Sequence, residues 1–100
     1  MTVAERVAGP EFAATVTDIR LDSRDAAGTW WQVALDRTAF LPGGPDGALV
    51  AVARSGAKLE VAVERAEEDA AGEVWHFVRK PLLAGTQVTG YVESLTNGGI

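Results

Sequence analysis

The sequence predicts an all-β fold, a small closed or partly open β-barrel of six to seven strands. Three observations carry that prediction. Short apolar segments alternate with turn signals at intervals of roughly ten residues, the rhythm of a barrel or sandwich. Within the segments the apolar residues alternate with a period of two, as strands require. The chain has 100 residues, 47% of them hydrophobic, which is enough to close one core in a single domain. A barrel also removes exposed strand edges by closing on itself.

Residues 12–21 (FAATVTDIRL) read as the first strand, ended by the polar run SRDAAG. Residues 29–35 (TWWQVAL) form the second, with Trp31, Val33 and Leu35 on one face and Trp30, Gln32 and Ala34 on the other. One of the adjacent tryptophans is therefore expected in the core and the other outside it. Residues 38–41 are a short extended piece before the turn at 42–47, which holds two prolines and three glycines. Residues 49–54 follow, and Ser55-Gly56 marks a tight turn.

Segment 58–65 fits two patterns. Leu59, Val61 and Val63 alternate as in a strand, whereas Leu59, Ala62, Val63 and Ala66 match helical spacing. The β-branched content and the preceding Ser-Gly turn favour the strand. The acids of 64–73 (ERAEEDAAGE) read as a solvated hairpin leading to 74–78 (VWHFV), a compact buried strand. Residues 81–85 turn the chain, and 88–93 complete the set, with Gly90 placed for a bend or bulge. Residues 1–10 and 95–100 are expected to fray.

Composition limits the partners. The net charge is −5, and the only adjacent basic pair is Arg79–Lys80. Neutralising phosphates takes clustered lysine or arginine, so DNA is not an expected partner and contact with tRNA is weak for this chain alone. A fold that gathered Arg20, Arg24, Arg37 and Arg54 on one face would still permit contact. No apolar run approaches the roughly 20 residues of a membrane span. Charges stand where a signal peptide has its apolar region, so a cytoplasmic protein without a membrane partner is expected.

Catalytic and metal chemistry find little to work with. There is no cysteine, and His76 is the one histidine. A zinc hydrolase needs three placed ligands and an open position for water, so no cofactor is expected. His76 reads as a strand residue bonded locally between Trp75 and Phe77. Ser23, Ser55 or Ser94 lacks the Gly-x-Ser-x-Gly setting of an activated serine. The 43–47 loop lacks the Gly-Lys-Ser/Thr ending of a phosphate cradle, and Pro45 removes a backbone N–H. No catalytic residue is expected.

One block is more specific. Leu35-Asp36-Arg37-Thr38-Ala39-Phe40-Leu41-Pro42-Gly43-Gly44-Pro45-Asp46-Gly47 resembles the strand and glycine-rich turn of the alanyl-tRNA editing family, Leu-Asp-x-Thr-Ala-Phe followed by Tyr-Pro-Glu-Gly-Gly-Gly-Gln. Residues 73–78 (EVWHFV) are similar to that family's strand with a central histidine, and 83–92 to its Gly-x-x-Val-x-Gly-x-Val segment. The resemblance spans about 12–93. It implies a barrel like the N-terminal domain of those hydrolases, itself similar to the second domain of translation elongation factors. In that family the barrel packs against a domain whose His-x-x-x-His and Cys-x-x-x-His segments hold the zinc that supports hydrolysis of mischarged seryl- or glycyl-tRNA.

Those ligands have no counterpart here. Leu41 stands where the family has tyrosine, and the loop lacks its Glu, third Gly and Gln. What the resemblance implies is a non-catalytic accessory or binding domain of translation quality control. The alternative is one part of a split editing hydrolase, partnered by a second chain or domain carrying the zinc site. A third is a barrel of structural similarity alone. Under the first two readings Thr38, Asp36, Gly43 and Gly44 would mark a relic or shared substrate site, and Trp30 and Arg37 a partner surface. A threonine hydroxyl that donates and accepts suits recognition of a serine side chain. Thr38 is equally a β-branched strand filler, Asp36 a turn carboxylate and Arg37 a solvated charge.

Overall fold

The computed structural model describes residues 4–44, 46–53 and 55–93. The described residues form nine strands: β1 (Glu5–Arg6), β2 (Glu11–Asp25), β3 (Gly28–Leu35), β4 (Arg37–Thr38), β5 (Gly47–Val52), β6 (Lys58–Val63), β7 (Arg65–Glu68), β8 (Val74–Val78) and β9 (Gln87–Val92). Seven make one antiparallel sheet in the order β6-β5-β9-β2-β3-β8-β7, while β1 and β4 pair in parallel. No described helix is long and apolar enough to cross a membrane.

Two bent passes curl this sheet. The first part of β2 (11–15) pairs with β9, and its remainder from Val16 pairs with β3. Register shifts at Val16/Asp18 and Leu21/Ser23 lie in the second part, where bulges sharpen the twist of a strand. The two ends of the strand order, β6 and β7, are successive pieces of chain joined at Glu64. The Glu64 N–H donates to the Phe77 carbonyl at 3.0 Å. Covalent continuity, rather than a ladder of hydrogen bonds, thus links the sheet's two ends. The result is the expected all-β fold as a partly open barrel, close in form to a two-layer sandwich.

Alternation builds the core. Val33 and Leu35 of β3, Val61 and Val63 of β6, and Val74 and Val78 of β8 are buried together with Val16, Phe40 and Leu49. Phe12 and Phe40 meet edge to face at 5.9 Å between centroids. The ambiguous segment is strand from Lys58 to Val63, and its alternation puts Val61 and Val63 in the core. Trp31 packs against the core, and Trp30 lies on the other face.

Two expectations are revised. Gly90 makes no bulge: it sits in regular register opposite Phe12 and Leu49, and a Cβ there would overlap the Phe12 ring. The glycine makes room for an aromatic ring. At the N-terminus, β1 is ordered by a parallel ladder, with Glu5 N–H donating to Asp36 O and Val7 N–H to Thr38 O, each at 3.0 Å. Ala4 is buried beside it. Residues 95–100 lie outside the described residues, as do Ser94, Pro45 and Arg54.

Candidate functional site

A buried side-chain hydrogen bond joins Thr38 and His76. β4 presents Arg37 to solvent and turns Thr38 inward, and β8 is buried along its whole length. His76 pairs across from Val33, whose side lies in the core. Its Nδ1 lies 2.8 Å from the Val33 carbonyl oxygen. A carbonyl only accepts, so Nδ1 carries the proton, and in the neutral ring Nε2 is left as the acceptor. The Thr38 hydroxyl donates to Nε2 at 2.8 Å and accepts from the Phe40 N–H at 3.0 Å. The Phe40 ring stands edge-on to the imidazole, 5.3 Å between centroids.

Burial holds this ring neutral. Desolvation pushes the His76 pKa down to about 4, opposed by the bond to the Val33 carbonyl. A hydroxyl donating to an oriented imidazole is the pairing from which nucleophilic catalysis is built. Here Thr38 is 1% exposed and His76 0%. Every donor and acceptor of the two side chains is used within the protein, and both groups are shielded from solvent. It is a fully satisfied buried pair. The local partners expected for His76 give way to groups 43 and 38 residues distant.

The other expected site residues lie around this pair, on the surface. Asp36 Oδ1 accepts the Thr15 N–H at 2.8 Å, fixing the entry to β4 onto β2. Arg37 is exposed. Gly43 has φ of 73° and donates its N–H to Ala66 O at 3.1 Å, while Gly44 closes the turn by donating to Leu41 O at 2.8 Å. Leu41, at the start of this turn, is 58% exposed. Three surface grooves of 350–370 Å³ lie elsewhere, lined by none of these residues.

A second feature was not foreseen. On the outer face of β3, β8 and β7, each aromatic ring is covered by an arginine. The Arg79 guanidinium lies 3.6 Å from the centre of Trp30, Arg20 3.8 Å from Trp75, and Arg65 4.3 Å from Phe77. Trp75 and Phe77 point away from the core, yet they are only 7% and 3% exposed. Arg20 is held by two bonds to Gln32 Oε1, at 2.9 and 2.7 Å. The Trp75 indole N–H donates to Asp69 Oδ2 at 2.9 Å, and Asp69 Oδ1 accepts from the N–H groups of Ala71 and Glu73. These bonds, that of Trp75 foremost, lower the Asp69 pKa. Asp69 thus organises the acidic hairpin instead of merely solvating it. The expected partner residue Trp30 lies half-buried under Arg79.

The signal for this face is weak in sequence. Arg65 stands directly opposite Phe77, but that register is visible only once β7 and β8 are paired. Among the described residues no three His, Cys, Asp or Glu side chains converge to hold a metal ion. No family model matches this chain, and no curated protein matches it.

Proposed function

We propose that this chain is a non-catalytic accessory or binding barrel of the type found at the N-terminus of alanyl-tRNA editing hydrolases, working in the cytoplasm through the surface of segment 36–44. The observation that carries the reading is the enclosure of Thr38 and His76. The one hydroxyl–imidazole pair in the fold is withdrawn from solvent and saturated with bonds. Around it the same segment exposes Asp36, Arg37, Leu41 and Gly43, an apolar side chain flanked by charge and bare backbone. On this reading Leu41 and the charged groups beside it are the surface that another protein domain would cover. The split-hydrolase alternative requires Thr38 to meet substrate, and its burial weighs against that role.

The test uses seryl-tRNA(Ala) as probe. The purified protein, with and without added zinc, is expected to leave serine release at the uncatalysed rate; release above it would overturn the non-catalytic reading. Binding is tested by titrating the protein with the zinc domain of an editing hydrolase separated from its own barrel. Association weakened by Leu41→Asp is expected, and its absence would sever the link to editing proteins. Serine release by the mixture would favour the split enzyme.

A further inference from the structure

We infer that a second copy of this chain pairs with the free edge of β6, antiparallel, about a twofold axis through Leu59. The two ends of the sheet differ in how they are finished. The β7 end is covered, since the 41–44 turn folds over it and Gly43 donates to Ala66 O. β6 pairs with β5 on one side, and among the described residues no backbone hydrogen bond reaches its other side. Lys58, Leu59 and Glu60 are exposed in succession, although neighbours on a strand face opposite ways. Three such residues in a row mark an edge open on both faces. An open edge offers unpaired N–H and C=O groups to another strand.

Charge selects the partner and the register. Lys58 and Glu60 lie two apart on one face of β6. An antiparallel axis at Leu59 sets Lys58 of each copy opposite Glu60 of the other, making two attractive pairs. Moving the axis to Glu60 sets the two glutamates against each other, and moving it to Lys58 does the same with the lysines. Like charges directly opposite destabilise a strand pair, and opposite charges support it. The edge is therefore complementary to itself in one register of these three. In that register the two Leu59 side chains meet at the apolar groove of about 350 Å³ between the β5–β6 hairpin and Leu82–Leu83, where Leu83 is 71% exposed. The contact is isologous and closes as a dimer instead of growing into a fibre.

Sedimentation equilibrium from about 10 µM to 1 mM protein tests this, a range chosen for a small interface of modest affinity. A monomer–dimer equilibrium is expected. Lys58→Glu and Glu60→Lys alone each turn both attractive pairs repulsive, and should weaken association about tenfold or more. Lys58→Glu with Glu60→Lys in one chain restores the complementarity and should return the association to its original strength. Both positions are exposed, so at concentrations low enough to keep the wild type monomeric the melting of each variant should match it and exclude misfolding as the cause. A wild-type protein monomeric at every concentration overturns the proposal. So does a single reversal that associates normally, or a double reversal that fails to recover.

Discussion

Three consecutive residues of β8 are buried by two different means. His76 faces the interior, whereas Trp75 and Phe77 on either side face out, and none is more than 7% exposed. The polar ring is inside and the apolar rings are outside, the reverse of what hydrophobicity alone assigns. Inside, the histidine is tolerated because Val33 and Thr38 take up both its nitrogens. Outside, the aromatics lie under guanidinium groups 3.8 and 4.3 Å from the ring centres. The interior solution depends on every bond being made, because a buried group left unpaired bears its full desolvation penalty. The exterior solution is made of separate contacts near solvent, each replaceable in part by water. Loss should therefore be severe inside and graded outside.

His76→Ala is the most damaging change expected. It opens a cavity and strands both the Thr38 hydroxyl and the Val33 carbonyl, for a loss of about 3–5 kcal/mol. Urea unfolding measures it. A loss below about 1 kcal/mol would mean that the interior relaxes as freely as the surface, and the contrast would fail.

Acid separates the two regions without mutation. In the folded protein His76 titrates at about 4, and in the unfolded chain near 6.5. Between these values the unfolded state binds more protons, so stability falls as pH drops from 6.5 towards 4, by about 3 kcal/mol in all. Asp69 acts lower: its carboxylate is favoured by folding, so its contribution is present above 3.8 and lost as pH falls below that value. Glu73, raised by burial, opposes the histidine slope above 4.5. The comparison is therefore made against His76→Leu, in which the fall from 6.5 to 4 should disappear, leaving only the opposite trend of Glu73, while the fall below 3.8 remains. A slope unchanged in that variant would remove His76 as its source.

Thr38→Val keeps the side-chain shape but removes the hydroxyl, leaving His76 Nε2 and the Phe40 N–H unpaired. The expected loss is about 2 kcal/mol, with Thr38→Ser losing less because its hydroxyl keeps both bonds. If Ser were as damaging as Val, the methyl group's packing, and not the bonds, would hold the site.

How much of this was visible in the chain follows the range of each interaction. Face assignments needed only neighbours: Val33 and Leu35, or Val61 and Val63, alternate within their own strands, and they are buried as that alternation says. Gly90 was seen as special, but the ring it admits belongs to Phe12, far away in sequence. β1 has two residues, too few to display any period, and it forms because Asp36 and Thr38 supply carbonyls. Thr38 and His76 were each recognisable as unusual polar residues in apolar strands. Their pairing was not, since it depends on the fold bringing Thr38 to a histidine 38 residues away. The arginine covers depend on register, and in β2 two bulges shift that register by steps no periodicity records.

The smallest effects should come from those covers. Arg20→Ala uncovers one face of Trp75 and leaves Gln32 Oε1 without its donor, while Gln32 Nε2 keeps its bond to Asp22 and the indole its bond to Asp69. Water then solvates what the guanidinium left, so the expected loss is about 0.5–1 kcal/mol. Arg65→Ala over Phe77 should be milder still, since that arginine stands farther from its ring and also pairs with Glu67 at 3.3 Å on an open surface. Removing both arginines should give nearly the sum, because they sit on different rings and share no hydrogen bond. Tryptophan fluorescence adds an independent readout: Arg20→Ala should shift the emission to the red as Trp75 meets water, and Arg65→Ala should leave it in place. A strongly non-additive double variant would show the outer layer to be a cooperative unit like the interior, and the distinction between the two sides of β8 would then lie only in which way the residues point.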